Sequence, residues 1–420
     1  MKHKVKGLTC TFVILIALFF DPLIPCRCFA QAELSIAFPY FDNVSNSGEQ
    51  KYYQINVSAG QHLFIMLDKP TSWLSSLYIR YGALPTTSTY DARDYSTYAD
   101  QAVEIQNTQA GYYYIMVYSH ATNGGEYTIT PHNNLTLGSL NIGVPTSASL
   151  LRSGATEYYQ VSTAAGQNLF IILDKATGWL SSVYIRFGAL PTTSEYDDRD
   201  YSNTADQAVE VQNTQVGYYY IMIYSHATSG GNYTITPHNN STFSSLNIGT
   251  PTAGNLTRSG DRQYYQLSAT PGAHLFLILD KPSGWLDRFY VKHGNLPTSD
   301  DYDATAYSLT EQALEIPAAL SGYYYVMLES AASSGGSYTL TPKTSLAQLT
   351  TDTPVSGNLA WSGDTQYYEI SSPNGEHLYI DLAKESSWLS TLYIRCGMLP
   401  TGTEYDAKID GSSALDVEIP

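Results

Sequence analysis

The stretch "GEQKYYQINVSAGQHLFIMLDKPTSWLSSLYIRYGALP", beginning at Gly48, returns three times along the chain. The copies start at Gly154, Gly260 and Gly363, so the period is 106, 106 and then 103 residues. Solenoid and propeller repeats run from about 20 to 50 residues, because each is a single supersecondary unit leaning on its neighbours. A period twice that long is the size of a whole domain. Each copy is therefore expected to fold around a core of its own.

Inside a copy the apolar residues alternate with polar ones in short runs bounded by turn residues: "KYYQINV", "HLFIML", "SLYIRY", "AVEIQN", "YYYIMVY" and "EYTIT" in the first. Period-two alternation marks half-buried strands, and no segment shows the 3.6-residue period of a helix. The expected class is all-β: tandem antiparallel β-sandwich, jelly-roll-like domains, three complete and one truncated. An immunoglobulin framework is excluded because its Cys–Trp–Cys spacing is absent. Segments rich in Pro, Asn, Ser and Thr, such as "TPHNNLTLGS", separate the copies. They place the domains at 31–133, 139–239, 245–343 and 347–420. Their shortness leaves little slack, so neighbours are expected to touch. The fourth copy ends at "ALDVEIP", before any counterpart of the "GYYY" strand. It reads as one unit of a longer protein, since an open sandwich would expose unpaired edges.

Residues 1–30 carry Lys2, Lys4 and Lys6, then "LTCTFVILIALFF", then small residues before Gln31, which is the pattern of a secretory signal peptide cleaved near Ala30. No later window approaches the roughly 20 apolar residues of a transmembrane helix. Cleavage would remove Cys10, Cys26 and Cys28 and leave Cys396 as the only thiol, so no internal disulfide could form. The formal charge is −17 for the whole chain. An acidic surface repels nucleic acid and suits a secreted or cell-surface protein.

In order, the copies present Gly48 leading into Tyr52-Tyr53, then "AGQHLFIML", "LYIRYG", Gly111 with alternating Tyr113, Ile115 and Val117, and "GGEYTIT". This order resembles the bacterial pre-peptidase C-terminal domain family, a β-sandwich found beside the catalytic parts of secreted peptidases. The resemblance implies a non-catalytic accessory domain, in some members one that binds an extracellular polymer such as collagen. The acidic calcium-binding linker of collagen-binding members has no equivalent before Leu34 or in "PHNNLTLGS".

Neither "HExxH" nor "GxSxG" nor a phosphate-cradling glycine loop occurs, so no catalytic residue is expected. Two constellations are candidates for binding. Asp91, Asp94 and Asp100 in "YDARDYSTYAD", with Asp197, Asp200 and Asp206 in "YDDRDYSNTAD", supply the clustered oxygens that calcium requires. Trp73, Trp179, Trp285 and Trp388 recur at the repeat period, either as plugs of the core or as platforms for sugar rings. Alternation divides the "GYYYIMVY" strand into two faces. Tyr113, with Ile115 and Val117, is expected in the core. Tyr112, Tyr114 and Tyr118, with Tyr218, Tyr220 and Tyr224, lie on the opposite face, which is either covered by a neighbouring element or displayed as a ligand surface. Glu329, replacing the last tyrosine in the third copy, suggests that this end of the stripe reaches solvent. The functional expectation is an extracellular array that binds a glycan or protein polymer or acts as a spacer. The alternative is an accessory region of a secreted hydrolase whose catalytic domain lies beyond residue 420.

Overall fold

The computed structural model describes residues 31–420, apart from residues 282, 283 and 386 and the side chains at 96 and 202. The expected signal peptide, with its three cysteines, lies outside the described residues. Every regular element described is a strand. Repeat 1 contains β1 (Ala32–Glu33), β2 (Tyr40–Val44), β3 (Gln50–Val57), β4 (Leu63–Asp68), β5 (Ser75–Tyr81), β6 (Ala92–Thr97), β7 (Gln101–Ile105), β8 (Gly111–Ser119) and β9 (Gly125–Asn133). They form two sheets, five-stranded in the order β1-β3-β8-β5-β6 and four-stranded in the order β2-β9-β4-β7. Only β1 joins its neighbour in parallel; the other pairings are antiparallel. Repeats 2 and 3 reproduce the same two sheets strand for strand.

The inner faces meet around Ile55, Leu63, Ile65, Leu77, Ile79, Ile115, Val117 and Ile129. Tyr113 is in this core, and its hydroxyl accepts the amide of Gln109 at 3.0 Å. Tyr219 and Tyr324 repeat the arrangement on Gln215 and Leu320. A second buried phenol pair ties one sheet to the other: Tyr53 to Tyr127, Tyr159 to Tyr233 at 2.9 Å, and Tyr265 to Tyr338 at 2.7 Å. Each pair satisfies two hydroxyls that would otherwise be stranded in an apolar interior.

The glycine pair opening β9 has a steric cause. Gly124 has φ +57°, and a Cβ there would lie 1.9 Å from the Val44 carbonyl oxygen. A Cβ on Gly125 would lie 2.3 Å from the Trp73 ring, so the indole packs directly on bare backbone. Its Nε1 donates to the Glu126 carbonyl at 3.2 Å. Gly231 with Trp179 and Gly336 with Trp285 repeat this fit. Among the described residues repeat 4 keeps three two-stranded sheets, Ala347–Leu349 with Tyr368–Ile370, Leu378–Leu382 with Leu415–Ile419 and Ser390–Ile394 with Ala407–Gly411. Its Trp388 is 37% exposed.

Candidate binding surface

The face opposite Tyr113 is built by β3, β5 and β8, whose register sets Met116 between Tyr52 and Tyr78. In repeat 2 the equivalent face is covered by repeat 1. Phe64, on the outer side of β4, is fully buried and packs at 5.5 Å from the Tyr220 ring, with Leu137 and Leu190 completing the contact. His62 bridges Tyr220 and Glu104: its Nδ1 lies 3.1 Å from the tyrosine hydroxyl and its Nε2 lies 2.9 Å from the carboxylate. Glu104 also accepts the amide of Leu190 at 3.0 Å. The four-stranded sheet of one repeat thus stacks on the five-stranded sheet of the next.

The junction recurs. Phe170 lies against Phe243 and Tyr325 at 4.5 and 5.4 Å, and Glu210 accepts the Leu296 amide at 2.7 Å. Between repeats 3 and 4, Glu315 accepts the Leu399 amide at 2.5 Å. The six expected ligand-surface tyrosines therefore separate by position. Tyr220 is 1% exposed and belongs to the junction. Tyr112 and Tyr218 remain 39% and 38% exposed, at the opposite end of the strand from the half-buried Tyr118 and Tyr224. Tyr114, the counterpart of Tyr220, has no repeat in front of it among the described residues and is half-buried. The expectation for Glu329 is corrected: it is buried, not solvated, because Arg262 and Arg288 hold its carboxylate at 2.7 and 2.5 Å.

Trp73, Trp179 and Trp285 lie inside their sandwiches, where no ligand ring can reach them. Beneath each runs a lysine that sequence reasoning missed. Lys69 is fully buried, and its Nζ donates to the Trp73 carbonyl at 3.0 Å, Ser75 Oγ at 2.9 Å and the Thr97 carbonyl at 3.0 Å. Lys175, Lys281 and Lys384 make the same tripod, Lys281 with Asp287 in place of the serine. Burial pulls the Lys69 and Lys175 ammonium groups down to about 7. The signal was present in the sequence: lysine follows in all four copies, even where the preceding Asp is replaced by Ala383.

The acidic residues are also engaged internally. Asp91 and Asp197 accept the amides of Tyr81 and Phe187, both at 2.7 Å. Asp94 and Asp200 accept those of Ala102 and Ala208 at 3.1 and 3.3 Å. Asp100 accepts the Lys69 amide at 2.8 Å and reaches across the junction to Arg152 and the Thr156 amide. Asp206 does the same with Lys175, Arg258 and Arg262. Burial raises Asp100 to about 6 and Asp206 to about 7, the neighbouring arginines offsetting part of the rise. Among the described residues no three His, Cys, Asp or Glu side chains are placed to hold a metal ion. Two of these carboxylates, Asp100 and Asp206, are junction residues.

What remains exposed is a polar aromatic cluster beside Tyr118. The Arg93 guanidinium lies between the Tyr90 and Tyr95 rings at 5.0 and 4.8 Å. His120 joins Tyr95 at 5.7 Å to Tyr118 at 4.6 Å and is anchored by Ser76 Oγ at 2.7 Å. Tyr201, Tyr224, His226 and Arg199 repeat the cluster in repeat 2. Tyr95 and Tyr201 are each 54% exposed. In repeat 3, Glu329, Ala331 and Thr305 replace the tyrosine, histidine and arginine, and Tyr307, in the place of Tyr95, stacks instead on Arg288, which stands where Ser76 does in repeat 1.

No described helix is long and apolar enough to cross a membrane. The family model for the bacterial pre-peptidase C-terminal domain matches residues 49–119 and 155–225. Alkaline serine exoprotease A of Vibrio alginolyticus is 35% identical over 94 residues, which are 22% of this chain and 17% of that protein. Among solved structures, the pre-peptidase C-terminal domain of collagenase from Bacillus anthracis matches with 17% identity and a TM-score of 0.21, covering 24% of this chain and 92% of that one. Repeats 1 and 2, whose sheets repeat 3 reproduces strand for strand, are tandem domains of the bacterial pre-peptidase C-terminal family.

Proposed function

We propose that the chain is an exported, non-catalytic array whose repeats interlock into a stiff rod and bind an extracellular glycan through aromatic clusters set one repeat apart. The observation behind this reading is the pair of exposed clusters at Tyr95-Tyr118-His120 and Tyr201-Tyr224-His226. Each offers a tyrosine held by arginine stacking, with an imidazole beside it. Rings fixed in this way stack on the apolar face of a sugar while their hydroxyls stay hydrated. The net charge of −17 disfavours nucleic acid.

Two weak sites on one rod bind a repeating polymer with avidity, on the order of 10² or more over one site. Retention on insoluble polysaccharides is the test, with collagen and other matrix proteins as parallel supports. Tyr95→Ala should weaken retention, and Tyr95→Ala with Tyr201→Ala should abolish it. Retention on no support, or retention indifferent to both substitutions, would remove the binding role and leave a spacer. The match to a serine exoprotease supports a second reading, in which the array serves a hydrolase as an accessory region. A peptidase motif in the sequence that adjoins these repeats would favour it.

A further inference from the structure

Repeat 3 carries a pairing that the other repeats lack. The tripod lysine meets a serine in repeats 1, 2 and 4, but in repeat 3 Lys281 Nζ meets the carboxylate of Asp287. Neither side chain is exposed to solvent. Lys281 follows the strand Leu275–Asp280 of the four-stranded sheet, and Asp287 opens the strand Asp287–His293 of the five-stranded sheet, so the contact spans the sandwich.

The surroundings orient the two groups for more than an ion pair. The carbonyls of Trp285 and Ser308 accept from Lys281 Nζ at 2.9 and 3.0 Å, which leaves its remaining position aimed at the carboxyl group. Gln312 Nε2 donates to Asp287 Oδ1 at 2.6 Å, while Asp287 Oδ2 is buried and accepts no hydrogen bond from another described residue. Burial disfavours both charges: it lowers the lysine and lifts the aspartic acid to about 6, and the attraction between the two offsets part of each shift. A neutral amine facing a neutral carboxylic acid is the reactant pair of an amide.

We propose that Lys281 and Asp287 condense into an intramolecular isopeptide bond that joins the two sheets of repeat 3. The Nζ lone pair attacks Asp287 Cγ while Gln312 stabilises the negative charge that develops on Oδ1. The Nζ–Cγ bond forms, the Cγ–Oδ2 bond breaks, and one Nζ proton leaves with the Oδ2 hydroxyl as water. The step consumes no oxidant, reductant or further reactant. The N–H that remains still reaches a carbonyl, and the oxygen without a partner is the one expelled. Holding amine and acid in attack geometry is worth an effective molarity on the order of 10⁵ M or more. The serines of the other repeats offer no acyl carbon, so the bond is expected in repeat 3 alone.

Mass spectrometry of the whole chain, kept folded near neutral pH and then denatured and digested, tests this. The tryptic peptide 263–288, bounded by Arg262 and Arg288, holds both residues. It should be one water lighter than its sequence, with no backbone fragments between Lys281 and Asp287. Reductive methylation of the denatured chain should modify the other lysines and spare Lys281. Asp287→Ser, which installs the residue of the other three repeats, should restore the sequence mass and the methylation of Lys281. Lys281→Gln should also restore the sequence mass, whereas water lost to a backbone imide at Asp287 would persist in that variant and overturn the proposal. A wild-type peptide of full sequence mass, or a methylated Lys281 in the wild type, would overturn it as well.

Discussion

Replacing Phe170 by alanine separates the coupling of repeats from the folding of each repeat. Phe170 is fully buried, yet it points away from its own sandwich core and into the receiver face of repeat 3. Burying a phenylalanine contributes about 1.5–3 kcal/mol. Its two ring contacts, at 4.5 and 5.4 Å, add about 0.5–1.5 kcal/mol each. The sum agrees with the ~3–5 kcal/mol usual for Phe→Ala in a packed site. Because nearly all of this energy belongs to the junction, the loss should appear as uncoupling. In calorimetry the wild-type repeats 2 and 3 should unfold together, and Phe170→Ala should split them into two transitions. The linker at 239–244 should become sensitive to limited proteolysis. A single transition that moves down intact, with the linker still resistant, would refute the reasoning and return Phe170 to the core of repeat 2.

Other expectations follow from the same contacts. Gly125→Ala drives a methyl into the Trp73 ring at 2.3 Å from Cδ1 and should cost roughly 1–3 kcal/mol or more as overpacking, read as a lower denaturant midpoint; an unchanged midpoint would contradict the packing described. Burial lifts Asp206 to about 7 from 3.8, so the folded state holds a proton that the unfolded chain releases near pH 4. The stability this contributes is full below about pH 4 and is lost as pH rises through 7. Melting temperature should therefore fall between pH 5 and 8, and Asp206→Asn should flatten the slope; a wild-type profile that rises over this range would contradict the sign. A chelator should leave the melting curve unchanged, because the loop carboxylates are filled by amides and guanidinium groups. A drop of several degrees would restore a calcium role.

The repeat, the strands and the core face of "GYYYIMVY" could be read from alternation, because each sandwich buries one face of every strand and the pattern is written locally. Alternation left open what covers the second face. Its cover, Phe64 over Tyr220, comes from a different repeat, and no local pattern records a contact between residues so far apart in sequence. The same distance hides the partners of Asp100 and Asp206 from the sequence. In isolation they look like ligand oxygens, but their guanidinium partners lie in the next repeat. Glu329 failed for a related reason: Arg262 and Arg288 reach it from two neighbouring strands, a pairing visible only once the register is known. Lys69 is different. Its recurrence in all four copies was available, and the sequence reading did not use it.

The central claim is that the repeats form one stiff body through recurring junctions. Spin labels on cysteines placed at the exposed Thr87 and Ser299, after Cys396→Ser, would report the distance between repeats 1 and 3. The account predicts a single narrow distribution for the wild type that broadens in Phe170→Ala. A broad distribution in the wild type would contradict it.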